Sequence, residues 1–188
     1  ETGRDMNLAI RKGRDEELGL GAALAADLQA RDDNRHPELS LLMACRRLGI
    51  PLTVHVAIGA DIIHQHPSAD GSILGEGSLR DFRILAGQLP EIDQGGVVIN
   101  FGSAVVMPEV FLKALNVARN LGHPAKNFVA ANFDMIQHYR PLQNVVKRPT
   151  SGGGRGYTIT GHHEINIPLL AAMVHDGLAA IGLDGGVE

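Results

Sequence analysis

The stretch IPLTVHVAIGADIIHQHP, residues 50–67, begins as an apolar, β-branched run and ends in a polar loop with one carboxylate and two imidazoles. Valine, isoleucine and threonine favour extended structure, so the run predicts a buried strand over 51–58. In open α/β sheets the ligand crevice lies beyond the carboxyl ends of such strands. The stretch therefore predicts an α/β protein with a site at the end of this strand.

The same pattern recurs along the chain. Apolar runs at 97–101 and 127–132 also end at small or polar residues, and 157–160 predicts a further short strand. Continuous apolar strands joined by helices predict a mostly parallel sheet with helices on both faces, which is a three-layer α/β architecture. A long loop is expected over 59–77, with Ser78 capping the helix that follows it. Helical patterns lie at 4–31, where one or two helices with a break near the glycines are expected, and at 37–48, 78–89, 108–121 and 164–181.

Composition limits the class of protein and its partners. The 188 residues are 44% apolar and 20% charged, which fits one globular domain, although the start at Glu1 leaves an upstream part open. A net charge of -4 gives no basic surface for nucleic acid. No apolar run approaches the ~20 residues of a membrane helix. The single cysteine, Cys45, excludes an internal disulfide, so a reducing, cytoplasmic location is expected.

The first candidate site is the loop with Asp61, His64 and His66. A carboxylate and two neutral imidazoles suit a divalent metal such as Zn²⁺, Fe²⁺ or Mn²⁺. The alternative is that these histidines only hydrogen-bond the loop backbone. His64 is also a candidate catalytic base, because imidazole titrates near neutral pH.

The second candidate site is the start of the last helix, Gly161-His162-His163-Glu164. A helix N-terminus attracts anions through its free N–H groups and its dipole, so His162 and His163 could hold a phosphate or carboxylate. His163 is the second candidate base. The turn Gly102-Ser103 follows a strand as phosphate-binding turns do. The glycines at 152–154, Gly153 and Gly154 among them, form either a phosphate cradle or a flexible connector.

Four motifs in order resemble deoxyhypusine synthase and its relatives, over roughly residues 37–181. They are a helix from Ser40 to Ile50-Pro51 followed by Asp61, the segment GVVINFGSAVV at 96–106, Ala131-Asn132-Phe133 and Ile167-Pro168-Leu169-Leu170. The resemblance implies a Rossmann-type NAD-binding fold and a homo-oligomer. It also implies contacts to the nucleotide from Asn132, His162 and His163.

One departure from that family concerns its chemistry. The family forms an imine on a lysine just before the last strand and helix, and residues 152–161 contain no lysine. Because an imine needs a primary amine, synthesis of deoxyhypusine is not expected. The sequence predicts instead an enzyme or pseudo-enzyme that binds a nucleotide or other anionic small ligand, or a non-catalytic binding or assembly protein with a decayed site. The expected crevice is lined by Asp61, His64, His66, Gly102, Ser103, Asn132, His162 and His163, with Gly153 and Gly154 as further cofactor contacts.

Overall fold

A computed structural model describes residues 1–183, and it is an α/β structure. The chain divides into two compact units. The first unit comprises Glu1–Glu91 and Lys113–Pro124, and the second comprises Ile92–Leu112 and the chain from Ala125 onward. The single-domain organisation stays a prediction. None of the helices within residues 1–183 has both the length and the apolar character needed to cross a membrane.

Helices build the first unit. The predicted break near the glycines of 4–31 is confirmed, because α1 ends before Gly19 and α2 begins after it. The predicted helix over 37–48 is divided by Ser40, whose hydroxyl accepts from Met43 N at 3.4 Å and caps α3. The helices are α1 (Thr2–Asp15), α2 (Leu20–Gln29), α3 (Leu41–Leu48) and α4 (Gly71–Gln88), with 3₁₀ turns at Pro37–Leu39, Ile62–Gln65 and Leu89–Ile92.

The core of the first unit joins α1, α2, α4 and the 3₁₀ turn at 62–65. Its buried members are aliphatic, and each is less than 10% exposed. Val54 and Val56 are partly buried and pack against the same cluster. Burial of apolar surface is the main favourable term in folding, so this cluster anchors both the helices and the 52–57 segment. The cluster consists of Ile10, Leu20, Ile63, Ile73 and Leu74.

The predicted strand over 51–58 is wrong as a sheet element. No strand is assigned between residues 51 and 58, although the alternate N–H groups of Val54 and Val56 both point to side chains of α4, as alternate groups of an extended chain do. Val54 N donates to Asp81 Oδ2 at 2.8 Å, and Val56 N donates to Ser78 Oγ at 3.3 Å. Side chains of α4 therefore take hydrogen bonds that a neighbouring strand would otherwise supply.

The predicted loop over 59–77 is also wrong in its second half. Helix α4 begins at Gly71, and the carboxylate of Asp70 accepts from Ser72 N at 3.0 Å and Ile73 N at 3.4 Å. Aspartate is a strong N-cap residue because its oxygen satisfies the free N–H groups of the first turn. Ser78 lies inside the helix and does not cap it.

A parallel sheet organises the second unit, as the sequence predicts. Its strands are β1 (Val97–Phe101), β2 (Val129–Asp134) and β3 (Arg155–Thr160), in the spatial order β1-β2-β3. Both pairings are parallel. Since parallel strands need crossovers, helical segments connect them. The longer helices that follow these strands in the chain are α5 (Val106–Asn120), whose residues from Lys113 onward belong to the first unit, and α8 (His163–Ala180).

A helical segment over 139–150 connects β2 to β3. It contains α6 (Tyr139–Pro141), a π-helix (Leu142–Lys147) and α7 (Arg148–Thr150). The segment packs tightly on the sheet at Gly156 of β3. A Cβ atom at Gly156 would lie 2.6 Å from both Cγ1 and the carbonyl oxygen of Val146, so only glycine allows this approach.

Helices on both faces of the sheet, and hence three layers, are not shown. Alternate side chains of β1 remain exposed: Val97 is 58% exposed, Ile99 39% and Phe101 38%. Helix α8 follows β3 and has no buried residue in the part of the chain that the structure describes. The fold shown is thus α/β with a small, open parallel sheet.

Candidate ligand site at the carboxyl edge of the sheet

Two asparagines lie side by side where β1 and β2 approach their carboxyl ends. Asn100 and Asn132 are register partners, and both are buried. Asn100 Nδ2 donates to Asn132 Oδ1 at 2.7 Å and to the carbonyl oxygen of Ser103 at 3.0 Å. Buried amides need such partners, and these bonds tie the strand ends to the turn after β1.

Gln137 extends this network to β3. Asn132 Nδ2 donates to Gln137 Oε1 at 2.7 Å. Gln137 Nε2 in turn donates to the carbonyl oxygen of Ile159 and to Thr160 Oγ1, both at 3.2 Å. A network of neutral amides therefore connects all three strand ends, beside Asp134, which is the last residue of β2.

The turn after β1 approaches the start of α8 closely. Gly102 has φ of +66°, a left-handed conformation that glycine adopts without steric cost. A Cβ atom there would lie 3.0 Å from His163 Nε2. The hydroxyl of Ser103 accepts from Met107 N at 3.1 Å in the first turn of α5. The structure thus places Gly102 next to His163, and Ser103 follows Gly102 in the same turn.

His163 is the first residue of α8 and is only partly exposed. Its ring lies edge-on to Phe101, with 6.1 Å between the ring centroids. Its Nδ1 atom is buried and has no hydrogen-bond partner within residues 1–183, and the same is true of Asn166 Nδ2. Unpaired buried polar atoms are uncommon, so this corner has unused hydrogen-bonding capacity.

His162 precedes α8 as its N-cap residue. Its side chain is exposed and makes no capping hydrogen bond. Its carbonyl oxygen accepts from Ile165 N at 3.1 Å and from Asn166 N at 2.9 Å. N–H groups in the first turn of a helix lack intrahelical acceptors, so this end of α8 favours an anion.

Gly153 and Gly154 are not part of this group. They precede β3, whereas the other predicted contacts of the second unit lie where the strands end. Six residues of strand, or about 20 Å, separate the two edges. The N–H groups of both glycines donate to the carbonyl oxygen of Thr150, at 3.2 and 3.0 Å, so they do not converge on an anion.

His64 and His66, the histidines of the first candidate site, accept hydrogen bonds from backbone N–H groups of their own loop. Gly59 N donates to His64 Nδ1 at 3.1 Å, and Ser68 N donates to His66 Nδ1 at 3.1 Å. A backbone N–H always donates, so each Nδ1 is the acceptor and each Nε2 carries the proton. Neither ring then offers a free lone pair to a metal. Asp61 lies exposed just before the 3₁₀ turn.

The metal prediction therefore finds little support in the geometry. No group of three His, Cys, Asp or Glu residues within 1–183 is arranged to hold a metal ion. The hydrogen bonds of His64 and His66 match the alternative, in which they order the loop backbone. His64 Nε2 is buried and has no partner among the described residues.

Asp81 is a buried carboxylate that the sequence reasoning missed. Its Oδ2 accepts from Gly21 N at 3.1 Å and from Val54 N, while Oδ1 has no partner within residues 1–183. Burial raises the pKa of Asp81, and the hydrogen bonds from Val54 and Gly21 oppose that rise. Burial also lowers the pKa of His55. Gly19 was the available signal, because a Cβ there would lie 1.8 Å from Asp81 Oδ1.

Asn100 and Gln137 were also missed, and the first of them had a signal in the sequence. β1 ends in Asn100-Phe101 and β2 contains Asn132-Phe133, so the same dipeptide recurs at equivalent positions of neighbouring strands. The two phenylalanine rings also meet, with centroids 4.8 Å apart. Gln137 follows β2 in an irregular segment, where no pattern indicated its contacts.

Comparisons of this chain with protein-family models, with curated proteins and with solved structures each found no match. The resemblance to deoxyhypusine synthase therefore stays a prediction, and the residues of the site carry the functional argument.

Proposed function

We propose that the second unit binds a nucleotide or other anionic small ligand at the carboxyl edge of its sheet. The observation that carries this proposal is the corner where Gly102 and the partly buried His163 meet at the start of α8. There an unpaired imidazole nitrogen, a left-handed glycine turn and a helix N-terminus lie together. Open parallel sheets bind ligands at this edge.

Each part of the corner has a role in the proposal. The first turn of α8 and the side chains of His162 and His163 contact a phosphate or carboxylate. The turn at Gly102-Ser103 lets the ligand approach the backbone, and the buried Asn132 keeps the strand ends fixed. NAD is the nucleotide that the family resemblance implies. A reaction at this corner would use His163 as its base.

The proposal excludes one reaction of the resembled family and leaves other assignments as predictions. Residues 152–161 contain no lysine to form an imine, so the ligand is not processed through one. A cytoplasmic location, a homo-oligomer and a metal at Asp61, His64 and His66 are predictions from the sequence, and ligand binding at this corner of the second unit requires none of them. Elemental analysis of the purified protein tests the metal directly.

Calorimetric titration with NAD, AMP and pyrophosphate tests the ligand class. His163→Ala is expected to weaken binding at least tenfold, because it removes a contact to the ligand. The matched control is His175→Ala, since His175 lies on the same helix with its side chain 76% exposed. Absence of binding by all three compounds, or equal binding by both variants, would overturn the proposal.

A second candidate function is non-catalytic binding or assembly. It is favoured by α8, whose large apolar side chains are exposed although helices apolar on all sides are normally buried. Under this alternative the wild-type protein binds none of the three compounds and self-associates, and α8 variants with added charges are monomeric. Calorimetry separates the two functions, and sedimentation velocity of the α8 variants shows whether α8 carries the self-association.

A further inference from the structure

The 52–57 segment of the first unit has one occupied edge and one free edge. Backbone groups of alternate residues in an extended chain point to opposite edges. On one edge, Val54 and Val56 donate to Asp81 and Ser78, and the carbonyl oxygen of Val54 accepts from Ser78 Oγ at 3.4 Å. These bonds show that α4 covers that edge.

The free edge carries the backbone groups of Thr53, His55 and Ala57. Within residues 1–183, the N–H groups of these three residues make no hydrogen bond, and neither do the carbonyl groups of Thr53 and His55. The carbonyl oxygen of Ala57 accepts from Ala60 N at 2.9 Å and keeps a second lone pair. Donors and acceptors at this spacing match one kind of partner, which is another extended strand.

We infer that two copies of this chain pair along this edge as antiparallel strands, related by a two-fold axis. His55 faces His55 of the second copy, and Thr53 faces Ala57 of the second copy. Each facing pair then exchanges N–H···O=C bonds in both directions, as in the hydrogen-bonded pairs of an antiparallel ladder. The residues of this interface belong to the first unit, and those of the proposed ligand site belong to the second.

Three features of the first unit favour a second copy as the occupant. The edge is self-complementary, because the same residues supply both its donors and its acceptors, and two-fold dimers are the commonest oligomers. Residues 50–60 contain no Asp, Glu, Lys or Arg, so two copies bring no like charges together. Ile58 and Ile62 flank the edge, 65% and 80% exposed, and extend the contact with apolar surface.

The expected dimer is weak. A five-residue strand pair with a few flanking side chains buries less than the ~1,600 Å² of a standard interface. We therefore expect a dissociation constant on the order of micromolar or weaker. Sedimentation equilibrium from about 1 µM to 1 mM covers that range.

Hydrogen exchange of single amides tests the register without a mutation. Protection of Thr53, His55 and Ala57 is expected to rise with protein concentration, in step with dimer formation. Val54 and Val56 are internal controls, because their N–H groups are bonded within the chain at every concentration. Free exchange of the outer three amides at high concentration would overturn the inference, and so would protection that does not depend on concentration.

A pair of variants isolates the contribution of the His55 N–H group to the stability of the dimer. His55→Pro removes one N–H of the free edge, whereas His55→Val removes the same imidazole and keeps the N–H. The dimer is expected to dissociate at least tenfold more readily for His55→Pro than for His55→Val. Equal association of two folded variants would refute strand pairing. If His55→Pro does not fold, the exchange measurement decides alone.

Discussion

Residues 52–57 and strand β1 are alike in sequence and differ in how their backbones are held. Both are short apolar runs rich in β-branched residues, LTVHVA and VVINF. β1 is paired along its length with β2. The 52–57 segment has no strand beside it within residues 1–183, and two side chains of α4, Asp81 and Ser78, accept its N–H groups.

The comparison shows that the backbone conformation of a segment and its hydrogen-bonding partners are determined by different factors. β-Branched residues favour an extended backbone in both places, because crowding at Cβ restricts the side chain in a helix. Whether an extended segment joins a sheet depends on which acceptors lie beside it. A ladder spreads its hydrogen bonds over many backbone groups, whereas the 52–57 segment depends on a few side chains. Single substitutions should therefore lower the stability of the 52–57 segment more than that of β1.

Asp81→Ala is the strongest test of that inequality. It leaves the N–H groups of Val54 and Gly21 without an acceptor, and each unpaired buried donor costs about 1–3 kcal/mol. We expect the unfolding free energy to fall by about 3–5 kcal/mol, measured by urea denaturation followed by circular dichroism. Asp81→Asn keeps an acceptor oxygen and should lose less than half as much. A loss below about 1 kcal/mol for Asp81→Ala would show that packing alone holds the segment.

The pH dependence of stability sharpens the role of Asp81. Burial raises its pKa above the unfolded value, so the native state binds a proton more tightly than the unfolded state does. The stabilisation that Asp81 gives through this raised pKa is fully present below the pKa of the unfolded state. It is lost as the pH rises through the pKa of the native state. For this one group, the unfolding free energy falls by up to about 1.4 kcal/mol per pH unit within that window.

Comparison with Asp81→Asn removes the titration of Asp81 together with its attraction to His55. Asp5, Asp70 and Asp93 have lowered pKa values because of their hydrogen bonds, and they act in the opposite direction. These residues are the same in both proteins, so they cancel in the difference. The wild-type protein should lose stability relative to Asp81→Asn as pH rises from about 4. Parallel pH profiles of the two proteins would contradict the raised pKa.

Ser78→Ala is a milder test of the same region. It removes the acceptor for Val56 N and the donor to the carbonyl oxygen of Val54, so a loss of about 1–2 kcal/mol is expected. Thr158→Ala on β3 is the control, because its exposed side chain makes no hydrogen bond in the described chain and the ladder remains intact. Equal losses in urea denaturation would remove the contrast between the two regions.

Gly87→Ala should give the smallest change, and in the opposite direction. Gly87 lies in α4, and no atom lies within 4 Å of a Cβ placed there. Replacing a helical glycine by alanine is expected to raise the thermal unfolding midpoint, with a gain of about 0.5–1 kcal/mol. Gly156→Ala in β3 is the contrasting variant, because its Cβ would clash with Val146 and stability should fall. Destabilisation by Gly87→Ala would indicate that α4 is packed at that point.

Much of the second unit could be predicted from local pattern. Apolar runs at 97–101 and 127–132 became β1 and β2 with shifts of a few residues, and the helix at 164–181 became α8. The meeting of Gly102, Ser103 and His163 followed from the rule that parallel strands end at one edge. The 139–150 segment could not be predicted, because its π-helix depends on packing against Gly156.

The first unit was harder to predict for a related reason. Asp70 capped α4 where Ser78 was expected to, since both residues precede plausible helical turns and only packing of Ile73 and Leu74 selects the earlier start.

The glycines at 153 and 154, in the second unit, resemble a phosphate loop in composition, yet their N–H groups donate to a carbonyl oxygen within a turn. Composition alone does not reveal which groups are already bonded.

By itself the sequence determined where the strands of the second unit lie, that these strands are parallel, and that His163 starts a helix after the last of them. These properties follow from side-chain size, spacing and the positions of glycine, which act over a few residues. Only the tertiary structure decided which acceptors the 52–57 segment uses and where α4 begins. It also decided which backbone N–H groups donate to the rings of His64 and His66. Those outcomes depend on hydrogen bonds and packing between residues far apart in the chain, and no local pattern encodes them.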